Sequence, residues 1–419
     1  PKSVNSIGYR AFYSCSSITS IMLPESVTDI DTDAFSFCTA LTCLIIPESV
    51  TSIGNSAFSG CTGLTSIIIP KGVTGIGCWV FKGCENLSRV IIPEGVSCIE
   101  DWAFENCKCL EDINIPEGIT SIGQRTFAGC QSMTNIILPE TVTRIGDGAF
   151  SGCNSLTHVT IKGDIISIED NTFEGCKALT DIIIPKSVTS IGVEAFTGCM
   201  SLTSITLECV TSIGEKAFCS CSSLTSIIIR GSMTNIAKNA FSGCVSLTSI
   251  VIPESVYQIG EGAFSDCSSL THIIIPERVV SIGNRAFGGC DKLESIDIPK
   301  GASYIGNMAF YGCQSLTRII IPKRVTRIRD GTFSGCEKLT RIFILGKVAN
   351  IGDSAFEGCK SLARIFIPES VTSIGNSAFK GCESLTQIVL PIVVTDIGIK
   401  AFEGCKSLDC FVMQDSVTF

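Results

Sequence analysis

Eighteen phenylalanines recur every 23 residues, from Phe12 to Phe196 and again from Phe218 to Phe402, with one 22-residue step between Phe196 and Phe218. Three residues after each stands a cysteine, from Cys15 to Cys405, so eighteen of the 25 cysteines are one position seen repeatedly. A fixed period of this kind overrides any domain count taken from chain length. Each copy is one supersecondary unit that can bury its apolar side only against its neighbours.

The copy from Leu64 to Asn86 displays the unit, which generalises to LxxIxIPxxVTxIGxxAFxGCxx. Ile67 and Ile69 alternate inward, as a half-buried strand requires. Pro70 has no N–H and ends that strand. Val73 and Ile76 mark a second short apolar segment, and Gly77 reads as a corner that takes a positive φ. Thirteen of the eighteen copies carry glycine there, while Asp31, Glu100, Glu169, Ala237 and Arg329 replace it in the others, so the corner permits a positive φ without strictly demanding one. The AFxGC segment reads as one turn of α- or 3-10 helix that lays Phe and Cys onto the core. Stacked coils then pair their strands in parallel about 4.8 Å apart. The expected fold is an α/β solenoid of about eighteen 23-residue coils, with a concave parallel sheet, short second strands and single helical or 3-10 turns on the other faces. One solenoid domain is expected over residues 1–419, cut within a repeat at both ends and without separate capping domains.

The LxxIxIP strand, the IG corner and the AFxGC close resemble the leucine-rich repeats of the BspA-like bacterial surface-protein type, over essentially the whole chain. The departures are local: Lys162, Glu208, Arg230 and Leu345 stand where proline is expected, and one residue is missing around Glu208 and Cys209. A kink or loosened turn is expected there, without a break in the strand ladder. The resemblance implies a leucine-rich-repeat solenoid at the cell surface or outside the cell that recognises macromolecules and is not an enzyme. Its ligands would be proteins or glycans of other surfaces.

Composition excludes several functions. A net charge of -9 gives no basic field for nucleic acid or for an anionic membrane. No apolar run approaches the roughly 18 residues of a spanning helix, so direct membrane insertion is not expected. No glycine-rich phosphate loop sits between a strand and a helix, and no cofactor is expected. A structural zinc site wants four converging ligands, whereas the cysteine ladder is a line. Those eighteen cysteines read as reduced, buried thiols that act as small hydrophobes. The other seven (Cys43, Cys78, Cys98, Cys109, Cys209, Cys219 and Cys410) leave occasional bridges open. The only two histidines, His158 and His272, occupy the same slot five coils apart, too far to share a site, and each reads as a solvated side chain on the sheet face.

The outward positions of the strand carry the functional signal. The slot between the two inward residues is mostly β-branched or aromatic and forms a long apolar stripe, readable as β-propensity with mutual shielding or as a binding surface. Two residues earlier, Arg318, Arg341 and Arg364 fall in consecutive coils beside Ile320, Phe343 and Phe366. Like charges in register repel, and arginine and aromatic residues are enriched at binding hot spots. These six residues are the candidate partner-binding site, with chance clustering on a solvated face as the alternative. Arg324, Arg327 and Arg329 add charge on the same coil, expected on another face. The competing role for the whole chain is a structural spacer, or a filament that self-associates end to end.

Overall fold

The structure, a computed structural model, describes residues 3–414. It divides into two compact units, Pro1–Cys209 and Val210–Phe419. Each holds nine phenylalanines of the column, and the boundary falls in the 22-residue step.

Within each unit nearly every coil contributes two strand segments, which stack in parallel at an offset of one repeat; the coil of Arg364 keeps only a bridge residue in place of its first strand. In the first unit Ser66–Ile68 pairs with Arg89–Ile91, Ser66 opposite Arg89 and Ile67 opposite Val90. The short second strands follow the same register, as where Ser121–Ile122 meets Arg144–Ile145. In the second unit His272–Ile273, Ser295–Ile296, Arg318–Ile321 and Arg341–Ile344 make a four-stranded parallel sheet. Burial alternates along each strand, as period-two geometry demands, so the central Ile is covered and its neighbours face outward.

The core is a set of columns. Phenylalanine rings stack face to face, Phe58 on Phe81 at 5.6 Å and Phe310 on Phe333 at 5.5 Å between centroids. The cysteines run beside them, and all 25 are free thiols. Within each unit the ladder thiols after the first donate to the phenylalanine carbonyl of the preceding coil, Cys61 to Phe35 at 3.1 Å and Cys336 to Phe310 at 3.2 Å. The one polar atom on this core residue is therefore satisfied, and the ladder reads as reduced, buried thiols. Threonine hydroxyls before the strand are also engaged, Thr157 donating to the Thr134 carbonyl at 2.8 Å.

Three local expectations are corrected. The AFxGC segment contains no α- or 3-10 helix; among the described residues there is none anywhere. Two left-handed residues flank each phenylalanine, Ser56 (φ 57°) and Gly60 (φ 70°) around Phe58, and they break the run of right-handed dihedrals a helix needs. Alternate amides then serve two purposes. Ala57, Ser59 and Cys61 donate back to Gly54, Ser56 and Phe58 in overlapping turns. Ser56, Phe58 and Gly60 donate forward to Cys78, Val80 and Lys82 of the next coil, at 2.7–3.0 Å. What reads as a helical turn is a second hydrogen-bonded ladder, and the inter-coil amide bonds at the Ser56, Phe58 and Gly60 positions run from one coil to the next one in sequence.

The corner glycine is required by proximity and not by φ. A Cβ on Gly146 would lie 2.6 Å from the Gln124 nitrogen and 2.7 Å from the Gly123 carbonyl carbon, and Gly146 is not left-handed. The positive φ belongs to the glycine before the cysteine.

Loss of proline lengthens the ladder where a loosened turn was expected. Lys162 and Leu345 possess the N–H that proline lacks, and donate it to Leu138 and Ile321 of the preceding coil, each at 3.0 Å. The strands there run to four residues, His158–Ile161 and Arg341–Ile344. A glycine follows in each case, and a Cβ on Gly163 or Gly346 would collide with the carbonyl oxygen of Val142 or Val325. These turns are drawn in against the coil below.

Candidate functional site

All six candidate residues lie in the second unit. Arg318 faces Arg341 and Ile320 faces Phe343 across one parallel ladder, while Ile319 and Ile342 between them point into the core. Hydrogen-bond register thus sets cation beside cation and apolar side chain beside apolar side chain. Arg364 and Phe366 occupy the same slots of the next coil. Strand pairing lapses between that segment and Arg341–Ile344, and Arg364 bridges forward to Gln387 instead. The apolar members are open to solvent: Ile320 is 44% exposed, Phe343 52% and Phe366 76%. They continue a stripe that includes exposed Val251 and Ile274 in the same unit.

Charge is handled differently on the turn face. There acids and lysines alternate from coil to coil and pair, Lys360 with Glu337 at 2.7 Å, Lys380 with Glu357 at 3.0 Å and Lys406 with Glu383 at 3.0 Å. The hydrogen bond that Lys360 donates to Glu337 holds its ammonium pKa above the ordinary value, and the bond that Lys380 donates to Glu357 does the same. The arginines on the sheet have no such arrangement. Among the described residues none of Arg318, Arg341 and Arg364 has an ion-pair partner.

Sequence reasoning missed part of the surface. A groove of about 760 Å³ runs past the strand ends, lined by Ile298, Ile320, Pro322 and Leu345 together with Lys300, Lys323 and Arg324, and by Glu277 and Asp297. Arg324 therefore shares a face with Ile320, because the chain turns at Pro322 and brings the following residues back beside the strand. Arg327 and Arg329 lie elsewhere: Arg327 is on the short strand Arg327–Ile328, and the Arg329 guanidinium stacks 4.4 Å over the Tyr304 ring. The signal that marks the groove in the sequence is the basic residues directly after proline, Lys300 after Pro299 and Lys323 and Arg324 after Pro322.

The remaining chemistry-bearing groups are placed for structure. Burial pushes the Cys61, Cys153 and Cys244 thiols up to about 12, which suppresses the thiolate that a nucleophile or metal ligand requires. His158 and His272 are exposed on their strands, each beside the hydroxyl of the preceding threonine at 2.9 and 2.8 Å. Among the described residues no group of His, Cys, Asp and Glu is arranged to hold a metal ion. No helix among them is long and apolar enough to cross a membrane.

Comparison with known proteins agrees with this geometry. The family described as BspA type leucine rich repeat region (6 copies) matches residues 1–111, 98–210, 208–317 and 303–419. No curated protein matches. Among solved structures, a leucine-rich repeat protein from Bacteroides ovatus is 33% identical over 86% of this chain and 82% of its own, with a TM-score of 0.55. A leucine rich cell surface protein from Faecalibacterium prausnitzii is 30% identical over 78% of this chain and 88% of its own, with a TM-score of 0.47.

Proposed function

The chain belongs to the BspA-type leucine-rich repeat family, and from that premise we propose that it is a non-catalytic recognition and adhesion solenoid of a cell-surface or secreted protein. Repeat proteins of this family commonly mediate protein binding. The observation that carries the reading is the unpaired arginine row set beside the exposed row of Ile320, Phe343 and Phe366. Like charges held in register are unfavourable in the free protein, and an anionic or π-rich partner relieves them. Exposed phenylalanines next to arginines supply the large buried area and directional contacts that dominate interface energies. The surface location rests on the family resemblance.

The test is binding of the intact chain to arrays of extracellular proteins and surface glycans, compared with the double variant Arg341→Glu/Phe343→Ala. Both side chains are exposed, so the variant is expected to keep the wild-type unfolding midpoint. At least a tenfold loss of binding for whichever array members the wild type captures is the expected result. Captured members that bind both proteins equally would remove this surface from the reading.

A further inference from the structure

The exposed apolar row of Ile320, Phe343 and Phe366 has a basic row along one side and a shorter basic cluster beside Ile320 on the other. Arg318, Arg341 and Arg364 make the row; Lys323 and Arg324 on the coil of Ile320, with Lys300 one coil earlier, make the cluster, across a groove that Ile320 and Leu345 line together with Glu277 and Asp297. On the coil of Phe366 the position of Lys323 is held by Glu369. All six cations are exposed, and none has an ion-pair partner among the described residues. Glu294 and Asp297, one coil before Arg318 and Ile320, mark where the arginine row stops. This concentration of unpaired positive charge sits in a chain whose net charge is -9.

Resting on the reading that this face binds a macromolecule, we propose that its occupant is an acidic amphipathic α-helix of another protein. The helix lies along the direction in which the coils stack, its apolar stripe on Ile320, Phe343 and Phe366 and its carboxylates against the arginine row and, at the Ile320 end, against Lys323 and Arg324. Three features select that partner. The cations call for acidic groups beside an apolar strip, along its whole length on one flank and at the Ile320 end on the other, the pattern of an amphipathic helix whose charged residues border its buried face. The repeats match in length. A helix returns the same face about every 5.4 Å, while the coils step by about 4.8 Å, so over three coils the two drift apart by only about 1 Å, within reach of an arginine side chain. An extended chain returns a face every 6.7 Å or so and drifts by roughly 4 Å over the same span. Finally, a polyanionic glycan would answer the charges but offers little to isoleucine and two phenylalanines, whose exposure calls for apolar contact.

The experiment presents the full chain with a displayed library of acidic amphipathic helices, the same library carrying a central proline, and fluorescently labelled heparin and polygalacturonate oligosaccharides. Selected helices are then measured by anisotropy against wild type, Arg341→Glu, Arg318→Glu and Phe343→Ser, each checked for an unchanged unfolding midpoint. The expected result is helices that bind wild type and weaken at least tenfold with Phe343→Ser, with either arginine reversal, and with proline in the probe. Failure to select any helix, or helices indifferent to proline or to these variants, overturns the proposal. If the oligosaccharides instead bind in an Arg341-dependent manner, the helix is wrong and the recognition surface stands. Silence from every probe and from the protein and glycan arrays removes both.

Discussion

Two glycines of one coil, Gly146 and Gly152, flank Phe150 and should respond to alanine in opposite ways. Gly152 is left-handed (φ 71°), but a Cβ there meets nothing closer than the Gly129 nitrogen at 3.7 Å. Gly152→Ala therefore incurs only the left-handed backbone penalty, about 1 kcal/mol. Gly146 has ordinary dihedrals, yet its Cβ would stand 2.6 Å from the backbone nitrogen of Gln124. Ordinary contact needs the coils to part by most of an ångström. The amide of Gly146 is held to the Ile122 carbonyl at 2.9 Å, and that bond stretches with any such movement. Overpacking of about 1–3 kcal/mol with one weakened hydrogen bond of about 1 kcal/mol puts Gly146→Ala at about 2 to 4 kcal/mol. The five coils that carry a side chain at this corner are never consecutive. Gly146→Ala would create such a pair with Glu169. Urea unfolding followed by tryptophan fluorescence is the assay, because Trp79 and Trp102 stack at 5.1 Å in the same unit. Equal costs for the two variants, or a larger one for Gly152→Ala, would refute the assignment of proximity to one glycine and φ to the other.

Phe310→Ala should destabilise the second unit by about 3–5 kcal/mol through its cavity, since Phe310 is fully buried between Phe287 and Phe333; a negligible shift in the calorimetric transition would mean the ring column bears no load. Thiol titration with an aromatic disulfide should leave the ladder cysteines silent in the native protein and release them on unfolding, and fast native reaction of all 25 thiols would contradict the burial. The same thiols give a signed pH dependence. Burial raises Cys61, Cys153 and Cys244 from 9.0 to about 12, so the unfolded chain loses those protons first. Stability from these groups is then fully present below pH 9 and declines as pH rises from there towards 12. An unfolding midpoint that does not fall over that interval would count against buried thiols.

Most of the coil was legible because its signals are chemically exclusive. Only proline lacks an N–H, so strand ends could be placed, and the Phe and Cys columns followed from an invariant spacing. The turn after the corner was misread because one of its two left-handed positions carries no mark. Trp79, Arg125, Met308 and Ser354 all occupy it with φ near +50 to +58°. Those residues ordinarily avoid that region, and the forward hydrogen bonds to the next coil hold them there. The corner glycine misled for a related reason, since composition alone does not separate a conformational need from a steric one. At the candidate surface, Arg318, Ile320, Arg341 and Phe343 were readable from strand alternation. Lys300, Lys323 and Arg324 were not, because their position depends on how the chain folds back after Pro299 and Pro322. Periodicity locates residues within a strand; it says nothing about which side of a turn they return to.

The one-way hydrogen bonding of the turn face gives a stack of these coils a direction. Toward later residues it presents amide donors at the Ser56, Phe58 and Gly60 positions, and toward earlier residues it presents the carbonyls that receive them. The two exposed faces of any such stack are therefore different molecules to a binding partner. A second copy can satisfy one only by offering the other, which is a head-to-tail contact that propagates without closing. A face-to-face dimer would leave donors against donors. Along the turn face, ending growth in a protein of this design thus takes two unlike terminators, one offering acceptors and the other donors.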